Sequence, residues 1–200
     1  MRPVILLFAK APVPGRVKTR LAAGIGPEKA ADLHRLFVHT MLDRLPKFGE
    51  VELHLDTLTD DFARRKVSQV PQSAGNLGDR MLHALTPRVP ALLLGSDSPT
   101  VPDTHIAAML ETTADVTLAP TDDGGYWAIA ARRTHPAMFA GVRWSTADAL
   151  ADTAAACRAA GLTVALGPSW FDVDEPEDLR RVAEFLEQNG HLEHLPLHGT

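Results

Sequence analysis

Short apolar runs alternate with amphipathic stretches along most of the chain. Residues 4–8 and 91–94 are continuous apolar runs, the pattern of strands that are buried on both faces of a sheet. Residues 27–45 instead carry apolar side chains at helical spacing, and the stretch is bounded by Gly26 and Pro46. The pattern therefore predicts buried strands that alternate with helices.

The same reasoning extends over the rest of the chain. It predicts strands at residues 4–8, 51–55, 67–70, 91–94, 114–119, 126–131, 163–166 and 170–174, and helices at 27–45, 59–66, 102–112, 147–160 and 175–188, with a further helix ending near residue 85. Such alternation is typical of a single three-layer α/β/α domain with a mostly parallel sheet, which we place at residues 1–188. Residues 189–200, which contain three histidines, are predicted to form an irregular tail.

Composition and charge exclude several classes of protein. The 200 residues are 45% hydrophobic and 22% charged, enough for one domain with a sizeable core. A net charge of −5 argues against nucleic acid as a partner. The single cysteine, Cys157, cannot form an internal disulfide, and we interpret it as a packed small hydrophobe in a reducing cytoplasm. The opening apolar run is too short for a signal peptide or a membrane span, so we expect a cytoplasmic protein.

A cationic loop follows the first predicted strand. Within eleven residues stand four cations: Lys10, Arg16, Lys18 and Arg20. Pro12 and Pro14 stiffen this loop, and Gly15 permits a tight turn or a close approach to a ligand. A rigid cationic loop at the end of a buried strand can hold polyphosphate through Coulomb attraction and backbone N–H donors. The alternative is a solvated surface loop, since the sequence is neither a Walker A loop nor GxGxxG.

Acidic residues follow two other predicted strands. Asp97 comes directly after the strand at 91–94, where a carboxylate facing phosphates could hold Mg²⁺ or Mn²⁺. Asp172 and Asp174 lie at the end of the predicted strand at 170–174, and we interpret Asp172 as the better second metal ligand. Capping is the alternative for Asp97, and for Asp174 it is equally favoured, because Glu177 follows three residues later as in a capping box. The predicted metal residues are Asp97, Asp172 and Asp174.

A glycine-containing turn offers a second group of candidate residues. Asp122 and Asp123 precede the pair Gly124 and Gly125, and Tyr126 opens the next predicted strand. The local interpretation is a tight hairpin. The functional interpretation places the glycine backbone against a substrate and gives Asp123 a hydroxyl to bind or a proton to accept. On this interpretation the substrate-binding residues are Asp122, Gly124, Gly125 and Tyr126.

The remaining polar positions contribute less. Arg80, in a polar loop with Asn76 and Asp79, could pair with a phosphate or with a surface carboxylate. The nine histidines form no HExxH or Cys/His metal set, and we expect His34 and His39 to be solvated or at the edge of the core. No nucleophile-and-base arrangement such as GxSxG is visible, which suits phosphoryl-type chemistry.

Six sequence blocks resemble a known family. In chain order they are FAKAPVPGRVKTRL at residues 8–21, GDRM at 78–81, GSDSPT at 95–100, DDGGYW at 122–127, WST at 144–146 and DVDEPEDL at 172–179. Together they resemble the bacterial glycosyltransferase-A-like proteins of the nucleotide-diphospho-sugar transferase superfamily. They are similar more distantly to phospholactate guanylyltransferase and molybdenum-cofactor guanylyltransferase. The resemblance spans residues 3 to about 186 and leaves the base and the acceptor open.

The resemblance implies a nucleotide-diphospho-sugar transferase fold, which is Rossmann-like, and a transferase activity. The first loop would hold the nucleotide phosphates, with Lys18 and Arg20 as their partners by position, and Asp97 and Asp172 would match the family's metal-side residues. The predicted nucleotide-binding residues are Lys10, Pro14, Gly15, Arg16, Lys18, Thr19, Arg20 and Arg80. The predicted catalytic residues are Lys18, Asp97 and Asp123.

Three functions follow as hypotheses. The first is Mg²⁺-dependent transfer of a nucleoside monophosphate from a nucleoside triphosphate to a small phosphorylated acceptor. The second is glycosyl transfer from a nucleotide-sugar, with Asp123 as base or hydroxyl ligand. The third is a nucleotide-binding module without catalysis. A nucleotide or nucleotide-sugar and a small-molecule acceptor are the expected partners, with a homodimer left open.

Overall fold

Seven strands and six helices alternate in a computed structural model that describes residues 2–189. The strands are Val4–Ala9 (β1), Glu50–Leu55 (β2), Ser68–Pro71 (β3), Ala91–Gly95 (β4), Val116–Pro120 (β5), Tyr126–Ala131 (β6) and Val164–Leu166 (β7). The helices are Thr19–Ile25 (α1), Pro27–Arg44 (α2), Leu77–Leu85 (α3), Asp103–Leu110 (α4), Ala149–Ala159 (α5) and Pro176–Asn189 (α6). The predicted irregular tail lies outside the described residues from 190 onward.

The strands form one sheet in the order β3-β2-β1-β4-β6-β5-β7. β1 pairs in parallel with β2 and with β4, β2 with β3, and β5 with β7. Only β6 runs against its neighbours β4 and β5 among the described strands. The predicted α/β class and mostly parallel sheet are therefore confirmed.

Helices cover both faces of the sheet, as a three-layer α/β/α arrangement requires. On one face, α2 and α4 bury residues such as Met41 and Ile106 against inward-facing strand residues. On the other face, α3 and α5 bury Met81 and Cys157. The Cys157 thiol is fully buried, and burial raises its pKa to about 11, which agrees with its interpretation as a packed small residue.

The final helix packs at the edge of this layered core. Val182 of α6 and Phe37 of α2 share a small cluster with Phe171 and Val173, which lie in the segment leading into α6. The backbone N–H of Val173 donates to the carbonyl of Asp97 at 2.9 Å. This contact ties the segment before α6 to the loop after β4, although the two are far apart in sequence.

Two predicted elements differ from the structure, and one observed helix was not predicted. The predicted helix at 59–66 is only a 3₁₀ turn at Asp60–Phe62, because Phe62 is its one fully buried apolar anchor. The predicted strand at 170–174 forms no strand and is held instead by single backbone hydrogen bonds. The helix α1 was not predicted, since its seven residues are too few to show a period. Within residues 2–189, no helix is long and apolar enough to span a membrane.

Candidate active site

The candidate site lies at the point of the sheet where successive strands are added to opposite sides of β1. β1 is followed by β2 on one side, while β4 is added on the other side of β1. The loops after β1 and β4 therefore leave the same edge of the sheet in opposite directions and open a crevice between them. Ligands of open α/β sheets bind in this kind of crevice.

Lys18 joins the two sides of this crevice. Its Nζ lies 2.6 Å from Oδ1 of Asp97, in the loop after β4, and 2.8 Å from Oδ1 of Asp174, before α6. Only 3% of the Lys18 side chain is exposed, against 44% for Asp97 and 43% for Asp174. We call these three residues the lysine–carboxylate cluster. Its ammonium is buried while its carboxylates remain open to the crevice.

The charges of the cluster stabilise one another. Burial alone would lower the pKa of Lys18, but the nearby Asp97 and Asp174 outweigh it and hold that pKa above its usual value. Burial would raise the pKa of Asp97, but attraction and hydrogen bonding to Lys18 hold it below its usual value. Lys18 and Asp97 are thus held as an ion pair at neutral pH, as two opposite charges partly removed from water must be.

The backbone of Lys18 is itself unusual. Its φ of 47° and ψ of 45° put a non-glycine residue in the left-handed region immediately before α1. This conformation is uncommon outside glycine and costs on the order of 1–3 kcal/mol. The ion pairs that hold the side chain offset that cost, and strain of this kind is concentrated at functional sites.

Asp172 lies beside the cluster but has a different environment. The hydroxyl of Ser98 donates a hydrogen bond to its carboxyl group. Burial, together with the negative charges of Asp97 and Asp174, raises the pKa of Asp172 to about 7 in spite of that hydrogen bond. Asp172 was expected to be the better second metal ligand, but Asp174 lies across Lys18 from Asp97. The hydrogen-bond partner of Asp172 is the Ser98 hydroxyl, whereas Asp97 and Asp174 both contact Lys18.

The capping alternative for Asp174 is wrong. The carboxylate of Asp178 accepts the backbone N–H groups of Asp174 and Glu175 at 2.9 and 2.8 Å, at the start of α6. Asp178 therefore satisfies these donors, and the side chain of Asp174 is left to pair with Lys18. The predicted reciprocal box with Glu177 does not form.

Two partly buried contacts hold the start of the cationic loop. The backbone N–H of Ala11 donates to Oδ1 of Asp56 at 2.7 Å, and the Nε2 of His34 lies 3.0 Å from the carbonyl of Lys10. His34 is 4% exposed rather than solvated, and burial lowers its pKa, so it is neutral and donates this bond. Sequence reasoning missed this role because the spacing of α2 does not show which face meets the loop.

The other cations of the loop face solvent. Lys10, Arg16 and Arg20 are exposed, and Gly15 turns the loop with a φ of 77°. Arg20 lies 3.9 Å from Glu175, a long contact between two exposed groups that adds little stability. Thr19 and Arg20, with Lys18 and Asp174, line a small hollow of about 150 Å³. Pro14 is exposed at the turn and lies outside that hollow.

A second polar arrangement lies over the other side of β1. The side-chain amide of Gln72 donates to the carbonyls of Ala9 and His54, at 3.2 and 3.0 Å, at the ends of β1 and β2. Its Oε1 accepts from Nη1 of Arg80 at 3.1 Å. Arg80 lies in the first turn of α3, next to a capping box between Asn76 and Asp79. Gln72 was not singled out from the sequence, where a lone glutamine carries no signal.

The turn that contains Gly124 and Gly125 is filled by contacts with the chain itself. A Cβ at Gly124 would meet the carbonyl oxygen of Ala147 at 2.1 Å, and the φ of Gly124 is 85°. The carboxylate of Asp123 accepts from the Thr121 hydroxyl at 2.6 Å and from the Gly125 N–H at 3.0 Å. The space that we assigned to a substrate at Gly124 is therefore filled by the chain itself, and Asp123 closes the turn.

The flanking residues of this turn are also engaged. Asp122 pairs with Arg181 of α6 at 2.9 Å, and the Arg181 guanidinium lies 4.2 Å from the centre of the Phe171 ring. Tyr126 packs against the core face covered by α5, where the Thr153 hydroxyl lies 3.5 Å from its own, and burial raises its pKa. The structure favours packing over substrate contact for Tyr126. Asp122 and Asp123 do lie at the same sheet edge as Asp97, because β5 runs parallel to β4.

The donor groups of the cluster suit a hard divalent cation. Within residues 2–189, no three acidic, histidine or cysteine side chains gather as a metal-ligand set, so the predicted three-aspartate set is not assembled. Asp97 and Asp174 nevertheless hold one cation between them, the Lys18 ammonium. Mg²⁺ needs only one or two carboxylates when substrate phosphates and waters supply the other ligands. The pair fits such an ion.

Comparison with known proteins places this geometry in a wider group. Residues 48–146 match the family described as "Uncharacterized protein conserved in bacteria" (DUF2064). A crystal structure from Desulfovibrio desulfuricans G20, of a protein provisionally named a nucleotide-diphospho-sugar transferase, is 30% identical. The similarity covers 94% of this chain and 95% of that one, with a TM-score of 0.79. Comparison with curated proteins found no match.

More distant structures share the fold. The 2-C-methyl-D-erythritol 4-phosphate cytidylyltransferase of Thermus thermophilus is 18% identical over 94% of this chain and 100% of its own, with a TM-score of 0.51. A hypothetical transferase from Thermus thermophilus is 15% identical over 90% of this chain and 100% of its own, with a TM-score of 0.50. At these identities the likeness extends to the fold alone.

Proposed function

Because the chain belongs with the glycosyltransferase-A-like proteins of the nucleotide-diphospho-sugar transferase superfamily, we propose that it is a Mg²⁺-dependent nucleotidyltransferase. It would transfer a nucleoside monophosphate from a nucleoside triphosphate to a small phosphorylated acceptor. The observation that carries this proposal is the lysine–carboxylate cluster at the switch point of the sheet. The cluster puts a buried cation and two open carboxylates in one crevice.

The cations of the first loop would bind the polyphosphate. Lys10, Arg16 and Arg20 are exposed around the crevice, and each can approach a phosphate without first breaking a strong internal ion pair. A nucleoside triphosphate is highly anionic, so a chain with a net charge of −5 needs such a local positive region to attract it. The left-handed turn at Lys18 directs its side chain inward, beneath these exposed groups.

The proposed reaction is a displacement at the α-phosphorus. An oxygen of the acceptor phosphate forms a bond to that phosphorus, the bond to the bridging oxygen breaks, and pyrophosphate leaves with the electron pair. Charge grows on the bridging oxygen and on the equatorial oxygens in the transition state. Lys18 and Arg20 are the groups of this chain that lie at the same hollow and could neutralise it.

Asp97 and Asp174 are the residues that would hold the divalent ion. A bound Mg²⁺ would supply charge neutralisation and polarise the phosphoryl oxygens. Asp172, with a pKa of about 7, stands beside them as a proton-carrying group that loses its proton when a cation is added nearby. His34 and Asp56 would keep the first loop in place through their bonds to its backbone.

Glycosyl transfer from a nucleotide-sugar is the second candidate. It is favoured by the name of the Desulfovibrio protein and by the position of Asp122 and Asp123 at the same sheet edge as Asp97. The carboxylate of Asp123 already accepts two hydrogen bonds within its turn. It would have to exchange these for a hydroxyl of the acceptor to act as a base, which is why we place this function second.

Calorimetry with and without Mg²⁺ tests the proposal. Nucleoside triphosphates, uridine diphosphoglucose and guanosine diphosphomannose are titrated into the full chain, and pyrophosphate release is then measured with a panel of sugar phosphates and phosphorylated hydroxy acids. Mg²⁺-dependent binding of a triphosphate together with pyrophosphate release supports nucleotidyl transfer. Selective binding of a nucleotide-sugar supports the second candidate instead, and no binding of any nucleotide contradicts both.

A further inference from the structure

We propose that Arg80, held in place by Gln72, reads the base of the nucleotide and selects a base with a carbonyl acceptor, guanine or uracil, over adenine and cytosine. This inference rests on the proposed function, because it concerns the nucleoside part of the same substrate. It assigns a specificity-determining residue and a substrate class to the side of the crevice opposite the lysine–carboxylate cluster.

The partners of the half-buried arginines single out Arg80. Five arginines in the described chain are half-buried, and four of them pair with a carboxylate: Arg35 with Asp61, Arg44 with Asp103, Arg65 with Asp43 and Arg88 with Glu52. Among the side chains that the structure describes, Arg80 contacts only the Oε1 of Gln72 and, at 3.4 Å, the carbonyl of Asn76. A half-buried guanidinium without a carboxylate partner leaves N–H donors available for an external ligand.

Gln72 fixes the direction of that guanidinium. Both hydrogen bonds of its amide nitrogen go to strand-end carbonyls, so its oxygen is left to face Arg80. The carbonyls belong to Ala9 and His54, in two neighbouring parallel strands, which form a rigid support. Gln72 is therefore a positioning residue, and Arg80 keeps about three of its five N–H donors for a ligand.

The place of Arg80 suits a base rather than the reacting phosphates. Gln72 spans the ends of β1 and β2, whereas Asp97 follows β4 on the far side of β1. Gln72 and Asp97 are thus one to two strand spacings apart, roughly 5–10 Å. A nucleotide whose phosphates lie at the cluster would extend its ribose and base toward Arg80.

The donors of Arg80 determine which base it would accept. An arginine has hydrogen-bond donors and no acceptor. Guanine presents two acceptors, O6 and N7, to such a fork, whereas adenine places an amino group beside its N7. Uracil carries a carbonyl at the position where cytosine carries an amino group. Guanine and uracil would therefore accept hydrogen bonds from the guanidinium. Adenine and cytosine would instead place an amino group, which is also a donor, opposite its N–H groups.

The test is calorimetric titration of the Mg²⁺ complexes of GTP, UTP, ATP and CTP into the full chain and three variants. We expect the parent to bind GTP or UTP roughly ten- to a hundredfold more tightly than ATP and CTP. Arg80→Lys, which keeps the charge but loses the planar fork, is expected to reduce that preference to less than about threefold. Arg80→Met is expected to do the same, and circular dichroism melts check that both variants fold.

Arg16→Met is the matched control, because Arg16 is an exposed cation of the first loop. It is expected to weaken all four nucleotides by a similar factor and to leave the base preference unchanged. Nucleotide binding without a keto preference, or a preference that survives Arg80→Lys, would overturn this inference and leave the proposed function standing. If Arg80→Met weakens all four nucleotides equally, Arg80 binds phosphate and the inference is wrong. Failure of every nucleotide to bind would overturn the proposed function and this inference with it.

Discussion

The lysine–carboxylate cluster and the glycine turn at residues 121–126 were both predicted to form part of the site. They differ in how far apart along the chain their interacting groups lie. In the cluster, Asp174 is 156 positions from Lys18 along the chain, and Asp97 is also distant. In the turn, the carboxylate of Asp123 is satisfied by Thr121 and Gly125, each two residues away. The cluster is therefore distinguished from the turn because its polar side chains are distant in sequence and are brought together by the fold.

The difference also extends to exposure and packing. The carboxylates of the cluster are open to the crevice above a buried ammonium, so a divalent ion can reach them. The backbone at Gly124 instead lies against Ala147, which leaves no space for a ligand there. The glycine at position 124 therefore allows the turn to pack closely against Ala147, and not against a ligand.

Asp97→Asn is expected to have the largest effect. The change removes one negative charge from the pair that would hold the divalent ion, and the proposed reaction should slow about 10²- to 10³-fold. Steady-state pyrophosphate release measures it. Asp103→Asn is the control, because Asp103 is also acidic and near β4 but pairs with Arg44 and Lys47 on the surface. Equal effects of the two changes would contradict the special role of Asp97.

Gly124→Ala is expected to lower the free energy of unfolding by about 3 kcal/mol. The positive φ contributes about 1 kcal/mol, and the contact with Ala147 contributes about 2 kcal/mol through overpacking. Urea denaturation measures the change. Gly161→Ala shares a similar φ of 76° without a close neighbour, so it should cost only the first amount. A similar loss in both variants would show that the close packing at Gly124 is unimportant.

Asp172→Asn is expected to remove a pH dependence of stability that amounts to about 1.4 kcal/mol per pH unit. In chelated buffer, native Asp172 keeps its proton up to about pH 7, while the unfolded chain loses it near pH 4. The native state therefore binds more protons between these values, and the stability of the parent falls as pH rises through this window. The variant should be the more stable protein at pH 8 and should gain nothing at pH 4. Parallel pH profiles would contradict this.

Tyr126→Phe is expected to have the smallest effect, below about 1 kcal/mol in the free energy of unfolding. The phenol hydroxyl lies at a long 3.5 Å from Thr153, and the ring packing is retained in the variant. The KM for the acceptor should not change, since we assign Tyr126 to the core. A large rise in that KM without a loss of stability would restore Tyr126 as a substrate-binding residue.

Much of the fold could be predicted because the buried strands are strongly patterned. The apolar runs that form β1 and β4 need no tertiary information to be recognised, and they correctly place the loops that carry Lys18 and Asp97. The helix at 59–66 failed because only Phe62 anchors it, so the segment settles into a single turn. The short helix α1 has too few residues for a period to be visible.

The site was less predictable because its geometry depends on contacts across the sheet. The sequence indicated which residues leave the strand ends, but it could not show that Asp174 rather than Asp172 would face Lys18. That choice depends on two other contacts. The Ser98 hydroxyl donates a hydrogen bond to Asp172, and the Asp178 carboxylate accepts the backbone N–H groups before α6. Gln72 and His34 act through backbone carbonyls, and such contacts leave no sequence pattern.

A double-mutant cycle tests whether Lys18 and Asp97 act together in binding a nucleotide. A Mg²⁺–nucleoside triphosphate is titrated into the parent, Lys18→Met, Asp97→Asn and the double variant, after thermal melts have checked that each is folded. We expect both single changes to weaken binding and their effects to be non-additive by at least about 1 kcal/mol, because the two residues share one crevice. Binding that both changes leave intact, or effects that simply add, would contradict it.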